Sequence, residues 1–359
     1  MILRFEELNW KELDALDRSC TLFFLAVSPL EEHGPHLPIG VDFINADFFA
    51  RETADVLETK RPDWNYVLIP GLALGAHVID YVGSIHIRQR VMRDLLFDYG
   101  SSLARHGFRY IVVFSAHGAP GHIVALEEAC EAVSRKYRIQ MIAPGGRLTI
   151  KLFLGEFYGR FNDYMPKPLA EELIKDMRRD FHAGLWETSM MLMFRPDLVK
   201  DEYKELTPVL RDAWQVIVNS TGSSAEGGGY LGLPAGASVE FARASTRVLR
   251  DEFFKIMERL MNGEDVRRDA SSFYTWVPFL RTDFWTNLLL LGATVSVAAV
   301  ATSFLKWLLG PTEGEHARDV PVDARNSLML DQPDVDDRDV GDLLSDSRFL
   351  TGSDDEVTV

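Results

Sequence analysis

Five side chains that could bind a metal ion or carry a proton lie close together near the N-terminus. Segment 30–42 reads LEEHGPHLPIGVD and contains Glu31, Glu32, His33, His36 and Asp42. Carboxylates and imidazoles are ligands for Zn²⁺, Mn²⁺ and Fe²⁺, and the absence of cysteine ligands argues against a structural zinc. A solvated loop could carry these residues by chance, so the rest of the chain must decide whether they converge.

Two further segments carry side chains of the same kinds. His117 lies in the run SAHGAPGH, directly after the apolar residues RYIVVF. His182 and Glu187 lie in the run HAGLWETS, at the start of the apolar helical run TSMMLMF. The Glu-Thr-Ser part of that run could also simply cap the start of a helix.

The elements that must position these residues alternate between strand and helix up to about residue 265. Apolar runs predict strands at 21–27, 65–70 and 139–144, and RYIVVFSAHG (109–118) indicates a strand that runs into a loop. Helical patterns lie at 45–58, 88–107 and 122–137. Strands that are apolar throughout and alternate with helices indicate an α/β fold with a largely parallel sheet covered on both faces.

Such a fold binds ligands outside the carboxyl ends of its strands. The segment 30–42 follows the first of these strands, and His117 follows the strand residues RYIVVFS (109–115). If those two strands are neighbours, both groups project from one edge of the sheet, and HAGLWETS can reach it. Asp42 could then bridge two metal ions about 3.5–4 Å apart, an arrangement that suits hydrolysis of amides or esters.

Three segments resemble the motifs of a known family. The run EEHGPHLPIGVD resembles the signature of the creatininase family of amidohydrolases, E-x-H-G-x-H-L-P followed by Asp. HAGLWETS is similar to the family's H-A-G-x-x-E-T-S, and GGGYLGLPAGASVEFARAS (227–245) to its G-x-x-G-x-P-x-x-A-s segment. With the histidine loop after FSAHG, the likeness covers roughly residues 15–262.

The resemblance implies a three-layer α/β/α fold, often assembled as a hexamer, with two divalent ions per chain (Zn²⁺ and/or Mn²⁺, or Fe²⁺) and a hydroxide between them. The implied ligand sets are Glu31, Asp42 and His117 for one ion, and His33, Asp42 and Glu187 for the other. His182 is then the acid/base that passes a proton to the leaving nitrogen. His36 is expected to orient a ligand rather than to bind metal itself.

The histidine loop departs from the family pattern. Creatininase has a metal-binding Glu two residues after the histidine, where this chain has Ala119. This difference argues against creatinine as the substrate and makes Glu187 the replacement ligand. His122 either compensates from the next helical turn or is a surface histidine, and Trp186 either lines a substrate pocket or belongs to the core.

The other polar residues near these motifs receive plainer expectations. Glu32 is expected to be exposed. No partner spacing accompanies His77, His86 and His106, which are expected at the surface or at the edge of the core.

Composition restricts the class of protein further. The 359 residues have a formal net charge of −16, which argues against a nucleic-acid-binding surface. Two cysteines, Cys20 and Cys130, do not make a disulfide framework and favour a reducing, intracellular setting. The acidic N-terminal residues do not resemble a signal peptide.

A second region, 284–305, contains 22 residues without a charge. As a helix it would be roughly 33 Å long, enough to cross a bilayer core. Trp285 and Trp307 lie at its ends, where interfacial aromatic residues are common. The alternative is a buried core helix, but the segment follows a complete domain. Flanking Lys and Arg are too balanced to set the orientation, and the missing signal peptide favours a cytoplasmic catalytic domain.

These observations divide the chain into a catalytic domain (1–265), a linker (266–283), a membrane helix (284–307) and a disordered acidic tail (308–359). Residues 311–359 contain 14 Asp and Glu against 4 Arg, typical of disorder. The predicted function is a membrane-tethered amidohydrolase that cleaves a lactam, formamide or short amide. The alternative is a membrane-anchored sensor or effector, in which an oligomeric domain of this kind controls the helix or opens a pore.

Overall fold

Five parallel strands form one sheet in the computed structural model, which describes residues 1–212 and 228–309. The strands are β1 (Ile2–Arg4), β2 (Thr21–Ser28), β3 (Asn65–Ala73), β4 (Tyr110–Phe114) and β5 (Gln140–Ile142). Their order across the sheet is β1-β3-β2-β4-β5, and every neighbouring pair is parallel. The predicted α/β fold with a parallel sheet is confirmed.

Helices connect and cover the strands. The α-helices within the described residues are α1 (Trp10–Asp14), α2 (Val41–Lys60), α3 (Gln89–Ala104), α4 (Pro120–Tyr137), α5 (Gly145–Phe153), α6 (Tyr158–Phe161), α7 (Glu171–Asp176), α8 (Leu185–Phe194), α9 (Val239–Met261) and α10 (Phe284–Leu309). Pro120 suits the first position of α4, and Ser238 caps α9 by accepting from the Phe241 N–H. The helices predicted at 45–58, 88–107 and 122–137 correspond to α2, α3 and α4, the predicted helical run TSMMLMF lies in α8, and 284–305 lies in α10. Strand β1 and helix α9 were not predicted.

The central strand β2 is buried along its whole length because both of its faces are covered. Leu22 and Phe24 point into a core shared with α2, α5 and α9. Phe23, Leu25 and Val27 point the other way, into a core shared with α3 and α4. Each fully buried Leu or Phe contributes roughly 1.5–3 kcal/mol through removal from water. This is the three-layer arrangement that the family resemblance implies.

The sheet also determines where a ligand can bind. The chain moves from β2 to β3 on one side and later to β4 on the other, so β2 lies between them. In open parallel sheets, the crevice at such a reversal of strand order is the usual ligand site. The loops after β2 and β4 meet there, as predicted for neighbouring strands.

Residues 266–283, predicted as a linker, pack on α3 and α4, and we call them the strap. The buried carboxylate of Glu127 accepts hydrogen bonds from Ser272 N (2.8 Å) and Ser272 Oγ (2.9 Å). Glu128 pairs with Arg281 Nε at 2.9 Å. Ion pairs at the end of the strap join Asp283 to Arg90 and Arg93. The segment before α10 is therefore held by charged and polar contacts.

Residues 1–295 form one compact unit, and the second unit, 296–359, is described only as far as residue 309. In α10, Phe284–Leu305 has a mean hydropathy of 2.1, and none of its 18-residue apolar window is buried within the described structure. By length and composition it could cross a membrane. From residue 310, the predicted acidic tail lies outside the described residues.

Candidate metal centre

The loop after β2 buries its polar side chains by folding back on itself. Prolines interrupt any regular structure there, and Gly34 adopts a φ of +68°, which side chains other than glycine rarely allow. The Glu31 N–H donates to the Ile39 carbonyl at 3.0 Å and closes the loop. Glu31 and His33 are each only 1% exposed as a result. Buried polar side chains of this kind need partners.

A first group of donors consists of Glu31, Asp42 and His117. His117 Nδ1 lies 3.1 Å from Glu31 Oε2 and 3.1 Å from Asp42 Oδ2. The other ring nitrogen of His117, Nε2, lies 3.4 Å from the His77 carbonyl, which can accept its proton. That contact leaves Nδ1 free for a metal ion, the usual arrangement around a histidine ligand.

A second group consists of His33, His182 and Glu187. His33 Nε2 lies 3.6 Å from Glu187 Oε2 and 3.6 Å from Asp42 Oδ1, while His33 Nδ1 is 3.0 Å from the Glu31 carbonyl. The ring centroids of His33 and His182 are 4.3 Å apart. His182 is thus near enough to act as a ligand as well as an acid/base. Asp42 lies between the two groups, with one oxygen toward each.

These donors fit a metal ion better than they fit one another. Glu31 Oε2, His33 Nε2 and Asp42 Oδ2 are buried and have no hydrogen-bond partner among the described residues. They lie 3.1–3.6 Å from neighbouring donor atoms without hydrogen-bond geometry. Ligand atoms around a tetrahedral ion with bonds of roughly 2.0–2.1 Å are about 3.4 Å apart. The spacing is therefore that of donors arranged around a cation.

The charges of the site reinforce one another. Burial works against protonation of His33, but Asp42 and Glu187 hold its pKa well above the usual value. Burial likewise opposes protonation of His117, but Glu31 and Asp42 raise its pKa. Burial would favour a neutral Asp42, yet the two imidazoles hold its pKa well below the ordinary range. A cluster of carboxylates stabilises positive charge here, whether a proton or a metal ion brings it.

His36 is buried and contacts the third motif. Its Nε2 lies 2.9 Å from Thr188 Oγ1, and burial, together with the nearby His33, lowers its pKa to about 4. A neutral His36 therefore joins the loop after β2 to helix α8. This position agrees with the expectation that His36 orients other site residues.

Helix α8 presents Glu187 from its first turn. Ala183 precedes the helix with a φ of +49°, and its N–H donates to the Glu187 carboxylate. Asp180 accepts three backbone N–H groups: Leu185 (2.7 Å), Trp186 (3.1 Å) and Leu233 (2.9 Å). Asp180 thus ties the HAGLWETS run to the GLP run. Burial raises its pKa to about 6 despite these three donors.

The structure contradicts two of the plainer expectations. Glu32, expected to be exposed, is only 6% exposed, because its carboxylate accepts from Gly34 N (3.0 Å) and its carbonyl lies 2.7 Å from His182 Nε2. His122 is not a surface histidine, since it is fully buried with Nε2 2.9 Å from Ser115 Oγ. The side chains of His77, His86 and His106 are exposed, as expected.

Two residues that hold the loops of the site in place, Asp180 and Ser28, were not predicted from the sequence. Asp180 could have been found from its place two residues before His182, next to a helix start. Ser28, at the end of β2, contacts Ser115 Oγ at 3.0 Å and connects the loops after β2 and β4. No periodic pattern points to such pairs, because they form only when the sheet aligns the two loops.

A mainly apolar cleft opens beside Glu187 and His182. Trp186 lines it, and the Trp186 ring lies parallel to Phe49 with ring centroids 6.4 Å apart. Trp186 therefore lines the cleft and also packs against the core, so it combines the two positions considered for it.

Known proteins resemble this chain in sequence and in fold. The chain matches the family model for creatininase, creatinine amidohydrolase, over residues 6–257. It is 25% identical over 274 residues to the mycofactocin precursor peptide peptidase of Mycobacterium ulcerans, covering 72% of this chain and 93% of that protein. It is 25% identical over 206 residues to the creatinine amidohydrolase of Pseudomonas putida, covering 54% and 72% of the two chains.

Solved structures share the fold. A creatinine amidohydrolase (creatininase) superposes with a TM-score of 0.54 at 19% identity, covering 72% of this chain and 98% of the other. A creatininase with Mn superposes with a TM-score of 0.53 at 19% identity, covering 75% and 99%. The sheet and its helices therefore have a creatininase-like fold.

Proposed function

The chain belongs to the creatininase family, and from this premise we propose that it is a membrane-tethered amidohydrolase that holds two divalent metal ions. Its substrate is a lactam, a formamide or a short amide whose C–N bond is hydrolysed. The relatives include a creatinine amidohydrolase and a precursor peptide peptidase, which act on different kinds of C–N bond. The replacement of a family Glu by Ala119 favours a substrate other than creatinine.

The observation that carries the proposal is the position of Asp42. Its Oδ1 faces His33 Nε2 at 3.6 Å and its Oδ2 faces His117 Nδ1 at 3.1 Å, so one carboxylate serves two donor groups. Such a carboxylate is what a pair of ions 3.5–4 Å apart requires, roughly the separation in two-metal hydrolases. A single buried ion pair would need only one of these groups.

When bound, the metal ions supply Lewis acidity and a hydroxide nucleophile at neutral pH. The first ion would be held by Glu31, Asp42 and His117, and the second by His33, Asp42 and Glu187. The Glu32 carbonyl fixes the ring of His182, which lines the cleft beside Glu187. From there His182 can deliver a proton to the leaving nitrogen.

We propose that residues 284–307 anchor the protein as a single membrane span, with the catalytic domain on the cytoplasmic side. The apolar length of Phe284–Leu305 supports the span. Cys20 and Cys130 are free thiols, which suits a reducing compartment. A homo-oligomer, by resemblance a hexamer, remains a prediction for size measurements in detergent.

Elemental analysis of the purified protein tests the metal proposal. We expect about two transition-metal ions per chain, and loss of both in a His33→Ala, Asp42→Asn double variant. Formate release from formamides and formation of the ring-opened amino acid from lactams then test hydrolysis. A wild-type protein that binds no metal after supplementation with Zn²⁺ and Mn²⁺ would refute the two-metal enzyme.

One observation favours the second candidate, a sensor or effector. The His77 carbonyl accepts a hydrogen bond from His117 in the first donor group. His77 Nε2 lies 3.1 Å from Gln89 Oε1. Gln89 Nε2 in turn donates to Leu280 O and Thr282 Oγ1, each at 3.0 Å. These contacts connect the metal centre to the strap. Hydrogen exchange of the strap with and without Mn²⁺ tests this function, which predicts a change in protection on metal removal.

A further inference from the structure

The cleft beside the metal centre has a mainly apolar wall. It extends from Glu187 between α2, α5 and α9. Much of its wall is aromatic, formed by Phe49, Phe114, Phe153, Trp186 and Phe253. Ligand pockets are lined mostly by hydrophobic and aromatic side chains, with a few polar groups that fix the orientation of the ligand. An unsubstituted formamide offers no apolar group to this wall.

Two polar groups in the wall away from the metal centre are already satisfied by protein contacts. Asp180 accepts its three backbone hydrogen bonds, and the Tyr158 hydroxyl donates to the Met177 carbonyl at 3.0 Å. Neither group requires a partner from a ligand. The inner part of the cleft therefore favours a ligand that buries apolar atoms.

Polar chemistry lies at the other end of the cleft. His182 and Glu187 line the cleft and also belong to the second donor group. A molecule with its C–N bond at the metal centre would thus place a neighbouring substituent against the aromatic wall. The metal centre and the apolar wall act on two adjoining parts of one substrate.

We propose that this cleft is a subsite for an aryl or branched-alkyl group next to the scissile C–N bond. The inference rests on the proposed hydrolase function and specifies its substrate class: amides that carry a bulky apolar substituent. Each methylene that enters such a pocket changes kcat/KM by roughly 10-fold or more in well-fitted sites. The preference for a phenyl-bearing amide over its small analogue should therefore be at least about 10-fold.

Two pairs of amides test the proposal on the full-length protein in mild detergent, loaded with Mn²⁺. The first pair, 3-phenylpropionamide and propionamide, differs on the acyl side, and the second, N-benzylformamide and N-methylformamide, differs on the amine side. We expect kcat/KM to favour the phenyl-bearing member of at least one pair. Preferences below twofold in both pairs, with hydrolysis of all four, would overturn the subsite and leave the hydrolase function intact.

Matched variants locate the subsite. Leu152 lines the cleft, whereas Leu154 is 61% exposed just beyond the end of α5. Leu152→Trp should abolish the preference, because it lowers the kcat/KM of the phenyl-bearing amide more than that of the small amide, while Leu154→Trp keeps the preference. If Leu152→Trp does not fold by circular dichroism, Thr149→Phe replaces it, since Thr149 also lines the cleft. A preference that survives a folded cleft variant overturns the assignment.

Failure of the enzyme function can be told apart from failure of the subsite. If the protein binds its metal ions but hydrolyses none of the four amides, the proposed function fails. Calorimetric binding of 3-phenylpropionamide then decides the subsite alone. Binding that Leu152→Trp removes and Leu154→Trp retains supports the subsite, and absence of binding to the wild-type protein overturns it.

Discussion

Glu127 makes the stability of the catalytic unit depend on pH in a direction opposite to that of most acidic residues. Its side chain is buried in α4 and accepts both hydrogen bonds from Ser272 in the strap. Burial raises the pKa of Glu127 from 4.5 to about 7. Below pH 4.5 the folded and unfolded states are both protonated, so the contribution of this group to stability is fully present and does not change with pH.

Between about pH 4.5 and 7 only the unfolded state releases this proton, so the free energy of unfolding falls as the pH rises and levels off above 7. At 1.36 kcal/mol per pKa unit, the full loss is on the order of 3 kcal/mol. Glu127→Gln keeps an acceptor for the Ser272 N–H and cannot ionise. The variant should therefore match the wild type near pH 4.5 and exceed its stability by about 1–3 kcal/mol at pH 8.

Urea unfolding in detergent, followed by tryptophan fluorescence at pH 5 and pH 8, measures this difference. Glu131→Gln is the matched control, because Glu131 lies one turn further along α4 and is partly exposed in an ion pair with Arg135. The control should change stability equally at both pH values. A Glu127→Gln effect that is the same at pH 5 and pH 8 would refute the assignment of this proton to Glu127.

Three further outcomes follow from the site and the strap. His182→Asn should keep the metal content and lower kcat by roughly 10²–10⁴-fold, because the variant cannot transfer the proton. Elemental analysis and the amide assay measure the two quantities, and loss of the metal would contradict this role. Asp180→Asn should lower the free energy of unfolding by about 1–3 kcal/mol, because the amide NH₂ of Asn would face a backbone N–H whose hydrogen bond the carboxylate accepts. An unchanged midpoint of urea unfolding would argue that these hydrogen bonds do not stabilise the fold. Asp283→Asn should speed hydrogen exchange of residues 272–283, because it removes the ion pairs at the end of the strap. It should change the free energy of unfolding by less than about 1 kcal/mol, because those ion pairs are partly exposed. Unchanged exchange would mean that other contacts hold the strap.

Much of the sheet could be predicted because buried parallel strands have a distinctive pattern. The apolar run at 21–27 became β2, which is buried on both faces, and such runs do not occur in half-exposed strands. The three-residue strand β1 is too short to show any period. Helix α9 is amphipathic, but its first residues belong to segment 227–245, which was interpreted as a family motif and not as a helix.

The convergence of the candidate donor residues could be predicted from the sequence, and their supporting contacts could not. Strand order reverses between β2 and β4, which explains why segment 30–42 and His117 lie close together. Burial of Glu32 depends on the loop folding back, and burial of His122 depends on Ser115, which follows β4. Such contacts depend on the backbone path of irregular loops, so no periodic pattern in the sequence predicts them.

The strap also determines how freely the catalytic unit could move if α10 spans a bilayer. A flexible linker of n residues lets its ends separate by about 5–6 Å × √n, so a long linker allows an enzyme to tumble above the membrane. Here Asp283 is paired with Arg90 and Arg93 of α3, and α10 begins at the next residue. With Ser272, Arg281 and Asp283 bound to α3 and α4, the strap would not act as a flexible tether of its full length. The catalytic unit would then diffuse laterally with its anchor.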